Sequence, residues 1–139
     1  MTAARHWAYG LIGRPYRRDA AGPDCFDCWG LVRHVFREQL GIEMPFVAVG
    51  EEGNLRAIRR AVAVSGWRPV RSGGPKEWDI VTMRSPWGPH VGVMVRANGG
   101  LLMLHAVQGL GVCAQALRDL PVQGYQALCW WRRVEGVGC

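Results

Sequence analysis

Residues 27–32 read Asp-Cys-Trp-Gly-Leu-Val and open a stretch in which apolar residues recur at helical spacing. Asp27 is a good N-cap, and Gly41 supplies a left-handed stop. We therefore predict a helix with Cys28 in its first turn. Unpaired backbone N–H groups and the positive end of the helix dipole favour a thiolate there, and the thiolate is the form that attacks carbonyls.

Two histidines follow in strand-like sequence. His90 begins a β-rich run, and an Asn-Gly pair at 98–99 reads as a two-residue turn into a second run that contains His105. This turn pairs Ala97 with Gly100. The same register puts His105 on the face of His90, about one diagonal step away, and makes the other face of the hairpin wholly apolar. The register thus predicts that the two imidazoles meet.

These three side chains suit catalysis by a thiol nucleophile. In this hypothesis Cys28 attacks, His90 takes and returns the proton, and His105 bonds the far ring nitrogen of His90 to fix its tautomer. The alternative is that each is an ordinary core residue, because free cysteines are commonly buried and a strand histidine is usually just packed. Their joint placement favours catalysis.

The chain resembles the NlpC-type cell-wall peptidases, which look like minimal papain-like cysteine peptidases. Five segments carry the resemblance, in the family's order: Gly13-Arg14-Pro15-Tyr16, residues 27–32, Trp78-Asp79-Ile80-Val81, His90-Val91-Gly92-Val93 and Leu104-His105-Ala106. Two positions depart from the family's pattern. Trp29 stands where the family often has a serine, and Trp78 stands where it often has a glycine.

The resemblance implies an α+β, papain-like NlpC-type fold, with N-terminal helices packed on an antiparallel β-sheet and the nucleophile at a helix N-terminus. It implies hydrolysis of an amide bond in peptidoglycan stem peptides, of the D-glutamyl–diamino acid type, by a triad of Cys28, His90 and His105. No metal or cofactor is expected. We expect the substrate to meet four further residues: Tyr16, Asp27, Trp29 and Trp87.

The short form with Leu-His-Ala-Val at 104–107, a Gly-rich turn and an arginine-containing last strand most resembles the phage tail-associated peptidases. This implies a virion tail component that aids cell-wall penetration, with phage tail-tip proteins as partners. Arg5, His6 and Arg14 interrupt any apolar signal core, and no stretch is long enough to span a bilayer. We therefore expect synthesis in the host cytoplasm without a signal peptide, no membrane insertion, and action at the bacterial cell wall.

Composition fits one domain over residues 1–139, with 49% hydrophobic and 20% charged residues. The formal net charge of +6 suits an anionic partner such as peptidoglycan with its acidic polymers. Basic residues lie in scattered short clusters without a nucleic-acid motif, so nucleic acid is not expected as a partner. The five cysteines are an odd number, which suits a reducing compartment.

The remaining pattern predicts helices before strands, the order typical of α+β domains. A first helix is expected at about residues 2–12. Asn54 is expected to cap a third helix, which has Leu55, Ile58 and Val62 as its apolar stripe and is ended by Gly66. Strands are expected near residues 80–83, 91–96, 101–106, 112–117 and 126–132.

Four rival hypotheses stay open. Cys25 and Cys28 would form half of a zinc site together with His34 or another ligand, but the second half is missing. A thioredoxin-like redox role needs a preceding strand, and residues 22–24 read as a loop. A related acyltransferase or amidase would use the same triad. Finally, the chain would be a structural tail-tip or assembly subunit if its peptidase site were occluded or vestigial.

Overall fold

The computed structural model describes residues 6–47 and 54–134. Within these ranges two α-helices, α1 (Cys28–Leu40) and α2 (Asn54–Val64), pack on one face of a six-stranded antiparallel sheet. The expected α+β class is confirmed. The sheet runs in the order β1-β6-β2-β3-β4-β5, and its strands are β1 (Trp67–Pro69), β2 (Ile80–Ser85), β3 (Gly88–Ala97), β4 (Gly100–Val107), β5 (Gly111–Gln115) and β6 (Gln126–Arg133).

Helix α1 has the predicted ends. The Asp27 carboxylate accepts a 2.6 Å hydrogen bond from the Gly30 N–H, and Gly41 closes the helix at φ 67°. Leu31, Val32 and further apolar residues of α1 are fully buried against β3 and β4. Cys28 is the first helical residue, so its predicted position at the helix N-terminus is confirmed.

The β3–β4 hairpin has the predicted register. Asn98 and Gly99 adopt φ 53° and 75°, as the central residues of a type I′ turn do, and Ala97 pairs with Gly100. The face of β3 and β4 that carries Val91 and Leu104 lies in the core under the helices. The opposite face carries the histidines, and a second cluster of buried residues packs on that side of the sheet: Val81, Met83, Met94, Met103, Leu120 and Tyr125.

Three local expectations need correction. In place of a first helix at residues 2–12, the structure has a 3₁₀ helix at Trp7–Gly10, because the His6 side chain caps Ala8 and Gly13 turns the chain at φ 89°. Residues 1–5 lie outside the described ranges. Strand β1 was not predicted, since three residues ending in a proline carry no periodic signal. Strand β5 stops at Gln115, and short 3₁₀ helices at 117–119 and 121–123 follow it.

Helix α2 buries its predicted stripe: Leu55, Ile58 and Val62 are at most 4% exposed. The helix begins at Asn54, whose side chain lies outside the described part of the chain, and Gly66 turns the chain after it at φ 92°. Across residues 6–47 and 54–134, each helix is too short or too polar to cross a bilayer.

Trp78 precedes β2 in the left-handed region, at φ 74°. A side chain with a β-carbon is strained there, which explains why the NlpC-type pattern often has glycine at this position. The Trp78 indole stacks on Trp7 with ring centroids 5.8 Å apart and planes within 12° of parallel. This contact ties the N-terminal 3₁₀ helix to the sheet and offsets the strain.

An ion pair between buried Asp79 and half-buried Arg132 ties β6 to the start of β2. Arg132 Nε lies 2.9 Å from Asp79 Oδ1, and Arg132 Nη2 lies 2.8 Å from Asp79 Oδ2. Asp79 is 1% exposed, so its charge needs this bidentate partner.

Gly30 is the point of closest approach between α1 and the loop before it. A β-carbon at Gly30 would lie 1.9 Å from the Ala20 carbonyl oxygen, which accepts a hydrogen bond from Asp27. We expect Gly30→Ala to lower the free energy of unfolding by about 2 kcal/mol, because this backbone contact outweighs the helix preference of alanine. Gly10→Ala is the matched control, since nothing lies within 4 Å of its added carbon. Equal urea midpoints for the two variants would contradict this packing.

Candidate active site

Cys28 lies at the bottom of a small pocket between α1 and the start of β3. Its side chain is 2% exposed. The cavity measures about 20 Å³, which is room for one water molecule. Seven residues line it: Tyr16, Cys28, Ser85, Trp87, Pro89, His90 and Gln108. The structure therefore brings Cys28 and His90 into one pocket, together with Tyr16 and Trp87.

His90 and His105 form a buried hydrogen-bonded pair. The Nε2 atom of His90 lies 2.8 Å from Nδ1 of His105. The two residues are 6% and 0% exposed. The predicted meeting of the two imidazoles is confirmed, and it leaves Nδ1 of His90 as the ring nitrogen available to Cys28.

Two residues that the sequence reasoning missed contact the histidine pair. Gln115 on β5 places Oε1 2.6 Å from Nε2 of His105. Tyr125 is 3% exposed and covers both rings, with centroid distances of 5.5 Å to His90 and 5.7 Å to His105. The pairing of His105 with Cys113 puts Gln115 one diagonal step from His105 on the same face. Pairing the predicted strand 112–117 with its neighbour would have found Gln115.

Tyr16 is positioned by backbone hydrogen bonds on both sides of the pocket. The Gly13 N–H donates to the Val112 carbonyl at the start of β5, and the Phe26 N–H, just before α1, donates to the Pro15 carbonyl. The segment 13–16 thus bridges the sheet edge and the start of α1. Burial raises the pKa of the Tyr16 hydroxyl to about 12, so it is protonated at neutral pH and able to donate a hydrogen bond.

Asp27 and Trp29 lie away from the pocket, contrary to the expectation that they contact substrate. Asp27 is 2% exposed, and its carboxylate accepts from the backbone N–H groups of Asp19 and Gly30. Trp29 is 1% exposed and donates its indole N–H to the Pro45 carbonyl. Successive residues of a helix point in different directions, so Trp29 points into the core while the preceding Cys28 faces the pocket. Trp87 differs, because it is 52% exposed at the pocket rim.

Cys25 and His34 lie outside the pocket that holds Cys28 and His90. Cys25 is a half-buried free thiol. The His34 ring packs edge-on against Phe26, with centroids 5.0 Å apart. Within the described residues, the His, Cys, Asp and Glu side chains form no group of three that would hold a metal ion.

Comparison with known proteins shows which family this chain belongs to. The sequence pattern of the NlpC/P60 family matches residues 13–130. The chain belongs to the NlpC/P60 family. The structure is similar to the crystal structure of the NlpC/p60 domain of peptidoglycan hydrolase SagA, with a TM-score of 0.60 and 24% sequence identity over 91% of this chain and 92% of that one. Comparison with curated proteins gives no match.

Both histidines of this NlpC/P60 domain are neutral at pH 7. Burial, and to a lesser extent the neighbouring His105, lower the pKa of His90 to about 3. Burial also lowers the pKa of His105 to about 4, although the hydrogen bond to Gln115 acts in the opposite direction. The pair therefore works with neutral rings, whose two nitrogens differ in role according to where each proton sits.

The Cys28 thiol is also neutral in this closed pocket. Burial raises its pKa to about 12, and the negative charge of Asp27 adds to the rise. Backbone N–H groups of Val91, Trp29 and Cys28 itself act the other way. The direction is opposite to the expectation from the helix N-terminus, because loss of water around the sulfur outweighs the stabilisation from the helix.

The neutral histidine pair makes stability depend on pH. Free histidine has a pKa of about 6.5. The unfolded chain therefore takes up protons below that pH while the folded pair does not, and stability is lost as the pH falls. We expect the free energy of unfolding, measured by urea denaturation, to drop by about 2–4 kcal/mol from pH 7 to pH 5. A His90→Gln, His105→Gln double variant should show a flatter dependence. Equal stability of the wild type at both pH values would contradict a neutral buried pair.

Proposed function

We propose that this NlpC/P60 domain is a cysteine peptidase that hydrolyses an amide bond in peptidoglycan stem peptides, of the D-glutamyl–diamino acid type. The observation that carries the proposal is the hydrogen-bonded pair of His90 and His105 in the pocket of Cys28, at a helix N-terminus. Family membership supports the reaction class. A domain with the same fold belongs to a protein named as a peptidoglycan hydrolase.

In the proposed mechanism Cys28 Sγ attacks the carbonyl carbon of the scissile amide as its proton passes to Nδ1 of His90. His105 bonds Nε2 of the same ring and keeps it oriented. The imidazolium then protonates the leaving amine, which gives a thioester on Cys28. A water molecule, deprotonated by His90, hydrolyses the thioester and restores the thiol.

The proposed path of the substrate follows from the grooves around the pocket. Trp87 and Gln108 also border an open groove of about 570 Å³. Its other lining residues are neutral: Val107, Gly109, Leu110, Gln115, Gln123 and Tyr125. We propose that the stem peptide lies along this groove with its scissile bond beside Cys28. Tyr16 and Trp87 would border the bond.

We also propose that the protein acts as a phage tail-associated component, made in the host cytoplasm and carried by the virion tail to the cell wall. The resemblance of residues 104–109 and of the arginine-containing last strand to tail-associated peptidases supports this role. The net charge of +6 favours approach to anionic wall polymers. Phage tail-tip proteins are the proposed partners.

The small size of the pocket favours a second candidate, a structural tail subunit whose site is closed. A cavity of about 20 Å³ admits no peptide, and Cys28 is 2% exposed. The Pro86-Trp87 turn, which borders the pocket, would have to move for an amide to reach the sulfur. The two candidates differ in whether the isolated domain cleaves peptidoglycan.

Digestion of purified diamino-acid-type peptidoglycan tests the proposed reaction. We expect Cys28→Ala to lower the rate by at least about a thousandfold, because no other group replaces the nucleophile. Cys25→Ala is the matched control and should keep wild-type activity, since Cys25 lies outside the pocket. Released fragments are identified by mass spectrometry, which also names the bond. No cleavage by folded wild type favours the structural subunit, and loss of activity in Cys25→Ala would overturn the nucleophile assignment.

We expect substitutions of the two histidines to lower the rate of cleavage by different amounts. His90→Asn should lower the rate by about a hundredfold or more, because an amide is not a general base. His105→Asn should lower it less, since an amide still hydrogen-bonds Nε2 of His90. Initial rates of fragment release measure both variants. Equal losses, from variants with equal thermal stability, would contradict the assigned roles.

A further inference from the structure

His105 has a second hydrogen bond that the mechanism above does not use. Its Nε2 lies 2.6 Å from Oε1 of Gln115 and 3.4 Å from Sγ of Cys113. An amide oxygen is a strong acceptor, whereas a thiol sulfur is a weak one. Gln115 is therefore the partner that decides which nitrogen of His105 carries the proton.

The orientation of the Gln115 amide is set by a further residue. Gln115 Nε2 donates to Oε1 of Gln123 over 2.7 Å, so its oxygen faces His105. An amide oxygen only accepts, and the proton of neutral His105 must then sit on Nε2. Nδ1 of His105 is left as an acceptor for the bond to His90.

The same constraint passes through His105 to His90. Because Nδ1 of His105 accepts, Nε2 of His90 must carry the proton of that ring. Nδ1 of His90 then holds a free lone pair in the pocket of Cys28. A reversed amide at Gln115 would reverse both bonds, place a proton on Nδ1 of His90, and leave that ring unable to accept the proton of the thiol.

We propose that Gln115 is a positioning residue that fixes the tautomers of His105 and His90 and so presents the lone pair of His90 to Cys28. The catalytic consequence rests on the proposed function, whereas the proton positions do not. Gln115 acts through His105 and takes no part in the bonds that form or break.

Cys113 explains why such a residue is needed. Burial raises the pKa of its thiol to about 11, so at neutral pH it carries a proton. Without Gln115, the nearest group to Nε2 of His105 would be this thiol, which is able to donate. A donor at that nitrogen favours the opposite tautomer in both rings. The amide oxygen of Gln115 therefore excludes a competing, unproductive arrangement.

Nitrogen-15 NMR of histidine-labelled protein at pH 7 tests the assignment without substrate. We expect both His90 and His105 to be Nε2–H tautomers in the wild type. Gln115→Met keeps the side-chain length without a strong acceptor and should shift His105 towards Nδ1–H, whereas Gln115→Glu should retain the wild-type signals. Cys113→Ala is the matched control and should also retain them. An Nδ1–H tautomer in the wild type, or unchanged signals in Gln115→Met, would overturn the proposal.

Gln123 offers a second variant at an exposed position, so the test does not depend on the folding of Gln115→Met. Gln123→Ala frees the Gln115 amide to rotate and should produce a mixture of tautomers. If Gln115→Met does not fold, signals identical to the wild type in Gln123→Ala would overturn the proposal.

Kinetics on peptidoglycan separate positioning from substrate contact, because Gln115 also borders the groove. We expect Gln115→Met to lower kcat on the order of tenfold, the scale found for hydrogen-bond partners of metal-ligating histidines. KM should change less than kcat, and Gln115→Glu should restore most of the rate. A higher KM with unchanged kcat would overturn the positioning role. Wild type with the expected tautomers but no cleavage would support the assignment and overturn the proposed function.

Discussion

The two-residue turn at Asn98 and Gly99 fixes how β3 lies against β4, and most of the structure follows from that register. It places Val91 and Leu104 under the helices and His90 and His105 together on the other face. A shift by one residue would put a histidine into the core and an apolar residue into the site. The core and the site therefore depend on the same register. A change in register that restored one of them would disrupt the other.

Exclusion of water gives the site its chemical character. Tyr125 covers both imidazoles, and Cys28 is almost without solvent contact, so thiol and rings are all neutral at pH 7. In such a site the direction of each hydrogen bond is set by which atom carries the proton, and not by fixed charges. A proton can pass from sulfur to nitrogen only if the accepting lone pair already faces the thiol. Hydrogen bonds several residues away from the sulfur thereby acquire importance.

The elements that the sequence predicted are those with local physical signals. Helix α1 has a cap at Asp27 and a stop at Gly41, and the hairpin has an Asn-Gly turn between alternating strands. Long-range contacts explain what was missed. Strand β1 exists only because β6 pairs with it, and Gln115 and Tyr125 reach the histidines from segments that show no chemical motif. The burial of Trp29 depends on how α1 is oriented on the sheet. The residues next to Trp29 in the sequence do not determine that orientation.

The position of β6 determines when the fold is completed during synthesis. Among the strands of residues 6–47 and 54–134, β6 comes last in chain order, yet it lies between β1 and β2 and is held there by Arg132 on Asp79. The hairpin with both histidines closes early, since its contacts are local, whereas insertion of β6 joins distant parts of the chain and is slow. During synthesis on the ribosome, the sheet that supports the pocket stays incomplete until β6 has emerged. A chain that has not yet reached β6 therefore lacks the finished sheet that supports the pocket.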